Sequence, residues 1–189
     1  YRQNEYGLPD DIRGARVLDV GAHIGAFTLL AIDRGAASVI AVEGNGENSN
    51  VLRQNVGENP TVFIIPALEG HKTQKVAFCP EKVGENTGMW SYLLSDVPPL
   101  CGIESNMIGL DAILDNYYID FFKIDVEGSE VLALEGVKPE NMFKVRYFFG
   151  EYHFSDKVKA KSEAILGYEL PNLYDWFGAK MQAFGFKHT

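Results

Sequence analysis

The chain is short of several things that particular kinds of work require. It has only two cysteines, Cys79 and Cys101, too few for a disulfide scaffold and without the spacing of a thiolate metal site. They read as reduced thiols, and with no secretory signal in view they point to a cytoplasmic protein. The four histidines, His23, His71, His153 and His188, form no HxxxH or HxH cluster, so no zinc site is expected. No apolar run approaches the length of a membrane span. Positive charge is scarce. With 17 Lys and Arg against 26 Asp and Glu, the net charge is −9 and the pI about 4.9. That sign works against nucleic acid as a partner, and the one basic run, Lys157, Lys159 and Lys161, reads as a solvated helix face or loop. No linker, repeat or low-complexity stretch divides the 189 residues, and 46% hydrophobic content suffices for one domain with a sizeable core. The first residue is Tyr1 rather than Met, which leaves room for a longer parent protein.

What is present is concentrated in Val17–Thr28, VLDVGAHIGAFT. An apolar run ends in an acid, a glycine turn follows, and a second glycine opens a segment able to be helical. A buried parallel strand hands a nucleotide-like ligand to a helix start in this way. Gly21 permits the tight turn, and Gly25 permits close packing with free amides facing the ligand. A second strand, Ala37–Val42, ends on Glu43, about twenty residues after the turn, where such folds hold the carboxylate that accepts from both ribose hydroxyls. Two ligand classes fit, a dinucleotide and S-adenosylmethionine. The dinucleotide fingerprint requires glycine two residues after Gly21, where His23 stands, and no third glycine falls in register. Asp19 at the strand end suits a cationic amino group or sulfonium better than a pyrophosphate. The residues therefore favour S-adenosylmethionine.

Strands alternate with helices along most of the chain. Strands are expected at Arg16–Val20, up to Val42, at Thr61–Ile65, Ile119–Ile124 and Val145–Tyr152, and from Gly185 onward. Helices are expected at Ile24–Arg34, Glu47–Val56, Gly128–Gly136 and Leu173–Phe184. That alternation gives an α/β, doubly wound, mostly parallel sheet. From Lys72 to Gly109 the pattern breaks. Lys75–Phe78 and Met89–Leu94 read as short strands among prolines and glycines, so a hairpin or small sheet is inserted before the fourth main strand.

Four blocks resemble the FkbM-type S-adenosylmethionine-dependent methyltransferases. Val17–Thr28 is similar to the family's "DVGANIG" block, with His23 in place of Asn. Ala41–Asn45 is similar to its "EPNP" segment without the prolines. Asn86–Ser91 is similar to its "NxGxSS" loop. Leu110–Asp115 followed by Ile119–Glu130 resembles "LDxLL…DFxKIDVEGxE", the most specific of the four. The likeness spans about Gly14 to Gly185. It implies a Rossmann-like class I methyltransferase fold, with a closing antiparallel strand beyond the last helix. It also implies S-adenosylmethionine as cofactor and an acceptor hydroxyl on a small molecule or glycan.

Methyl transfer from a sulfonium mainly needs an aligned acceptor and a way to remove its proton. Asp125 ends strand four beside the expected methyl position, with Glu127 and Glu130 within a turn. Asp125 is assigned to both donor binding and chemistry, Glu127 to chemistry, and Ser129 and Glu130 to helix capping. His153 ends strand five on the same sheet edge, in Glu151-Tyr152-His153, which resembles the family's "EVH". It is a natural base that titrates near neutrality. Asp125, Glu127 and His153 can also collect a divalent ion, a secondary reading. Asp19, Gly21, His23, Gly25 and Glu43 are assigned to the donor, with His23 ordering the turn or meeting the donor carboxylate. Ala67 and Leu68, after strand three, are assigned to the adenine, and Trp90 and Ser91 to the acceptor, whose pocket the loops around Lys72–Gly109 and Ser155–Pro171 are expected to shape. Trp176 reads as core. Two other readings share the glycine turn. An N-directed or nucleic-acid methyltransferase would carry an Asn/Asp-Pro-Pro-aromatic block where Asp125-Val126-Glu127-Gly128 stands. A non-catalytic S-adenosylmethionine-binding module would not need the acidic cluster and His153.

Overall fold

The computed structural model describes residues 4–78 and 103–186. Five strands form a fully parallel sheet: β1 (Arg16–Val20), β2 (Ser38–Val42), β3 (Val62–Ile65), β7 (Ile119–Ile124) and β8 (Val145–Gly150), in the order β3-β2-β1-β7-β8. Strands buried on both faces must be apolar on both, and β1 and β2 are each buried along four successive residues. The period of two then divides the core. Val17, Val39 and Phe121 face one side, where they meet Phe27 and Ala31 of α1 (Ala26–Asp33). Leu18, Ile40 and Phe122 face the other, with Val131 and Leu134 of α4 (Glu130–Glu135) and Trp176 and Met181 of α7 (Leu173–Ala183). Trp176 is core, as expected. Each of the Val, Leu, Ile, Phe and Met side chains among them contributes roughly 1.5–3 kcal/mol on burial.

The chain runs outward from β1 through β2 and β3 by way of α2 (Gly46–Val56), then returns to place β7 on the other side of β1. The order therefore reverses between β1 and β7. In open α/β sheets the ligand crevice lies at the carboxyl ends of strands at such a reversal.

A second sheet precedes β7. Strands β4 (Leu68–Gly70), β5 (Gln74–Phe78) and β6 (Ile103–Gly109) lie in the order β4-β6-β5, with β5 antiparallel and β4 parallel to β6. The inserted hairpin thus has β5 and β6 as its arms. Met89–Leu94, the strand expected to pair there, lies outside the described residues, as do Asn86–Ser91, Trp90 and both cysteines. Two short helices, α3 (Asp111–Leu114) and α5 (Pro139–Met142), flank β7 and its crossover.

One expectation is corrected, and another falls largely outside the described residues. The stretch from Ser155 to Pro171, read as pocket-shaping loop, carries an eleven-residue helix, α6 (Asp156–Leu166). Its signals stand in the sequence: Ser155 accepts from the Val158 amide at 3.2 Å, and Gly167 ends the helix at φ +81°. The strand expected from Gly185 does not begin within the described residues. Gly185, at φ +82°, instead ends α7, its amide bonded to the Gln182 carbonyl. Among the described residues no helix is long and apolar enough to cross a membrane.

Candidate active site at the sheet reversal

The glycine turn is bound to the end of β2. Gly21 and Ala22 both donate to the Val42 carbonyl, at 3.0 and 2.9 Å. Gly21 has φ +76°, and a Cβ placed on it would lie 1.8 Å from the Asp125 carbonyl oxygen. Only glycine lets the β1 and β7 ends approach so closely. Gly25 serves a neighbouring contact: its missing Cβ admits Leu52 of α2, which would otherwise sit 2.5 Å away. His23 takes a left-handed φ of +52° without being glycine. Its amide donates to Glu43 Oε2 at 2.7 Å, and burial lowers its side-chain pKa, so the ring is neutral at pH 7.

Glu43 is 8% exposed. Its other oxygen accepts from the Asn45 amide at 2.8 Å, and the Asn48 side chain also reaches it. Burial raises its pKa despite these bonds. Two backbone amides leave lone pairs on both oxygens, as a cis-diol would need. Losing a carboxylate that accepts two ribose hydrogen bonds costs about 1.5–3 kcal/mol. Glu43→Ala should accordingly weaken S-adenosylhomocysteine by roughly 10- to 150-fold in a calorimetric titration. Ala67 and Leu68 are buried beside this loop, Leu68 against Gly44 and Met107.

Asp19 differs from its expected setting. It is fully buried; Thr28 donates to its Oδ2 at 2.6 Å and Lys123 lies 3.3 Å from its Oδ1. Its charge is met inside the fold, and a ligand would reach it only through these partners. Lys123 was not singled out in the sequence, although a lysine within the apolar run Phe121-Phe122-Lys123-Ile124 is itself a signal. Its side chain is 4% exposed, and Nζ donates to the Gly21 carbonyl at 2.7 Å. It clamps the glycine turn to β7.

Asp125, Glu127 and His153 converge. Asp125 follows β7, its amide bonded to the Val20 carbonyl at 3.0 Å. One carboxylate oxygen, Oδ1, is buried and has no hydrogen-bond partner among the described residues. Glu127 (φ +51°) and Gly128 (φ +99°) turn the chain sharply into α4. Glu130, expected only to cap that helix, is fully buried and does more. Its Oε1 accepts from the Val126 and Gly128 amides and lies 2.9 Å from His153 Nδ1. His153 Nε2 faces Glu127 at 3.4 Å and Glu151 at 3.8 Å. The Glu130 hydrogen bond, with further help from the Glu130, Glu127 and Asp125 charges, raises the His153 pKa to about 9. The near-neutral titration expected from the residue alone is thus displaced upward. Glu127 is raised as well, chiefly by burial. Nearby Glu69, 6% exposed, is pushed up to about 8 by burial, with the Glu43 and Glu130 charges adding to it, and is largely uncharged at neutral pH. One atom each from Asp125, Glu130 and His153 lie within 4.8 Å of one another, close enough to share a cation. His153 Nδ1 is engaged by Glu130 Oε1, while Glu130 Oε2 and Asp125 Oδ1 have no hydrogen-bond partner among the described residues.

The chain matches the methyltransferase FkbM domain over residues 19–187. Among solved structures it resembles the methyltransferase FkbM from Methylobacillus flagellatus at 18% identity and a TM-score of 0.52, over 82% of this chain and 38% of that one. It spans well under half the length of that relative. An S-adenosylmethionine-dependent methyltransferase from Mesorhizobium loti matches at 20% identity over 34% of this chain and 32% of its own, with a TM-score of 0.28. No curated protein sequence matches.

Proposed function

This chain belongs to the FkbM methyltransferase family, and from that premise we propose that it transfers the methyl group of S-adenosylmethionine to a hydroxyl of a small molecule or glycan. The donor spans the reversal, its ribose on Glu43 and its sulfonium near Asp125. The acceptor hydroxyl lies against His153 Nε2. As its oxygen attacks the methyl carbon, the carbon–sulfur bond breaks and the sulfur keeps the electron pair, giving S-adenosylhomocysteine. The hydroxyl proton passes to neutral His153 and then to water. Buried Glu130 holds the imidazole by Nδ1, so Nε2 points outward and the imidazolium that forms is stabilised.

The observation that carries this reading is the His153–Glu130 pair beside Asp125 at the carboxyl ends of β7 and β8. A methyl donor alone needs no oriented imidazole; an acceptor with a proton to lose does. The net charge of −9 and the Asp125-Val126-Glu127-Gly128 sequence disfavour a nucleic-acid acceptor. The test is transfer of labelled methyl from S-adenosylmethionine into fractionated extract of the source cell, followed by identification of the product. A label recovered as a methyl ether is the expected result. Label only on nitrogen, or in nucleic acid, would contradict the reading, and no transfer at all would indicate a binding module.

A further inference from the structure

The N-terminal segment lies outside every motif of the sequence, yet it reaches the centre of the site. Asn4 brackets it: its side chain donates to the Leu8 carbonyl and accepts from the Leu8 amide, both at 2.8 Å. Leu8 is buried in the core, and Arg34 of the α1 terminus donates to its carbonyl. The turn so formed sends Tyr6 inward. Its ring meets Phe27 edge-on at 5.6 Å and stacks on Phe149 at 6.1 Å. It also covers the Lys123 ammonium, 5.5 Å from the ring centre. Its hydroxyl donates to Asp125 Oδ2 at 2.7 Å, across 119 residues of sequence. A hydroxyl donated to a carboxylate at that distance is a strong, directional contact.

The two oxygens of Asp125 are therefore unlike. Oδ2 carries the Tyr6 hydroxyl, with Lys123 Nζ at 3.9 Å. Oδ1 is buried and has no hydrogen-bond partner among the described residues. A buried carboxylate oxygen is costly to leave unsatisfied, so Oδ1 is the atom available to a ligand. We propose that Tyr6 is a positioning residue: by holding Oδ2 it fixes the Asp125 carboxylate so that Oδ1 meets the ammonium group of the bound donor. This rests on the methyltransferase reading above. Tyr6 does not act as a base. Burial, then the hydrogen bond to Asp125, raises its pKa far above the ordinary phenol value, so the hydroxyl stays a donor throughout the working range.

The test is a double-mutant cycle of Tyr6→Phe and Asp125→Asn, read as the dissociation constant for S-adenosylhomocysteine, with thermal melting recorded for each variant. Tyr6→Phe keeps the ring contacts and removes only the donor. It should melt near the unaltered chain and bind S-adenosylhomocysteine five- to thirtyfold more weakly. Asp125→Asn should weaken binding at least tenfold in the unaltered chain and no more than threefold in the Tyr6→Phe background. Tyr6→Phe affinity within twofold of the unaltered chain, tighter binding by Tyr6→Phe, or effects of the two substitutions that simply multiply would each overturn the proposal. If the unaltered chain itself fails to bind S-adenosylhomocysteine, the methyltransferase reading falls instead.

Discussion

Replacing His153 with alanine should lower turnover by roughly 10²- to 10⁴-fold while leaving the dissociation constant for S-adenosylhomocysteine within about threefold. A base acts where the acceptor proton departs, which is a property of the transition state rather than of donor binding. The pH profile gives the assignment its sign. Only neutral imidazole accepts a proton, and Glu130 holds the His153 pKa at about 9. The kcat/KM for donor, which reports the free chain, should rise with pH through about 9 and level off above it. With donor saturating, the nearby sulfonium disfavours imidazolium, so the limb in kcat should lie at lower pH. Glu130→Gln removes the charged partner from Nδ1, and the limb should move downward while turnover falls. The groups facing the ring are Asp125, Glu127, Glu130 and Glu151, so Glu130→Gln should shift the limb without abolishing it. His153→Ala turnover within tenfold of the unaltered chain, with the same profile, would move the base to Asp125 or Glu127.

Gly21→Ala should be nearly as damaging, through the donor rather than the acceptor. The added methyl would stand 1.8 Å from the Asp125 carbonyl oxygen and 2.8 Å from its carbon, both backbone atoms in a hydrogen-bonded strand pair. Neither can yield without parting β1 from β7 at the crevice. A left-handed φ adds about 1–2 kcal/mol. Gly14→Ala separates the two costs, because Gly14 has φ +83° but nothing within 4 Å of an added Cβ. Gly14→Ala should lose only the conformational cost in a denaturant titration and bind S-adenosylhomocysteine normally. Gly21→Ala should lose more stability and bind at least a hundredfold more weakly. Affinity of Gly21→Ala within threefold of the unaltered chain would show that the turn does not carry the donor.

Strands β1 and β2 are legible because a strand buried on both faces reads as a largely apolar run, with glycine or acid just past its end. β3 and β7 are legible as β-branched and aromatic runs, even though Phe63 is exposed at the sheet edge and Asp120 and Lys123 interrupt β7. β6 is not. Its stretch Glu104-Ser105-Asn106 is polar, and what makes it a strand is pairing with β5 across a long sequence separation. α6 had readable caps, but its body mixes lysines with few apolar residues, so no periodicity marked it. Within the site, the sequence names Gly21, Glu43, Asp125 and His153, since strand ends and turns give their location. It does not give their partners. That Asp19 is met by Lys123, that Glu130 turns back to His153, and that Tyr6 reaches Asp125 are products of three-dimensional closure. The displaced titration of His153 follows from the second of these, and no property of the isolated residue contains it.

Whether the crevice at the sheet reversal accepts an adenosyl sulfonium donor is decided by a calorimetric titration of the unaltered chain with S-adenosylhomocysteine and, separately, with NAD. The missing third glycine and the Asp125 carboxylate beside the turn disfavour a pyrophosphate there. Saturable binding of S-adenosylhomocysteine, with NAD weak or undetectable, is the expected result. Tighter binding of NAD than of S-adenosylhomocysteine would contradict it.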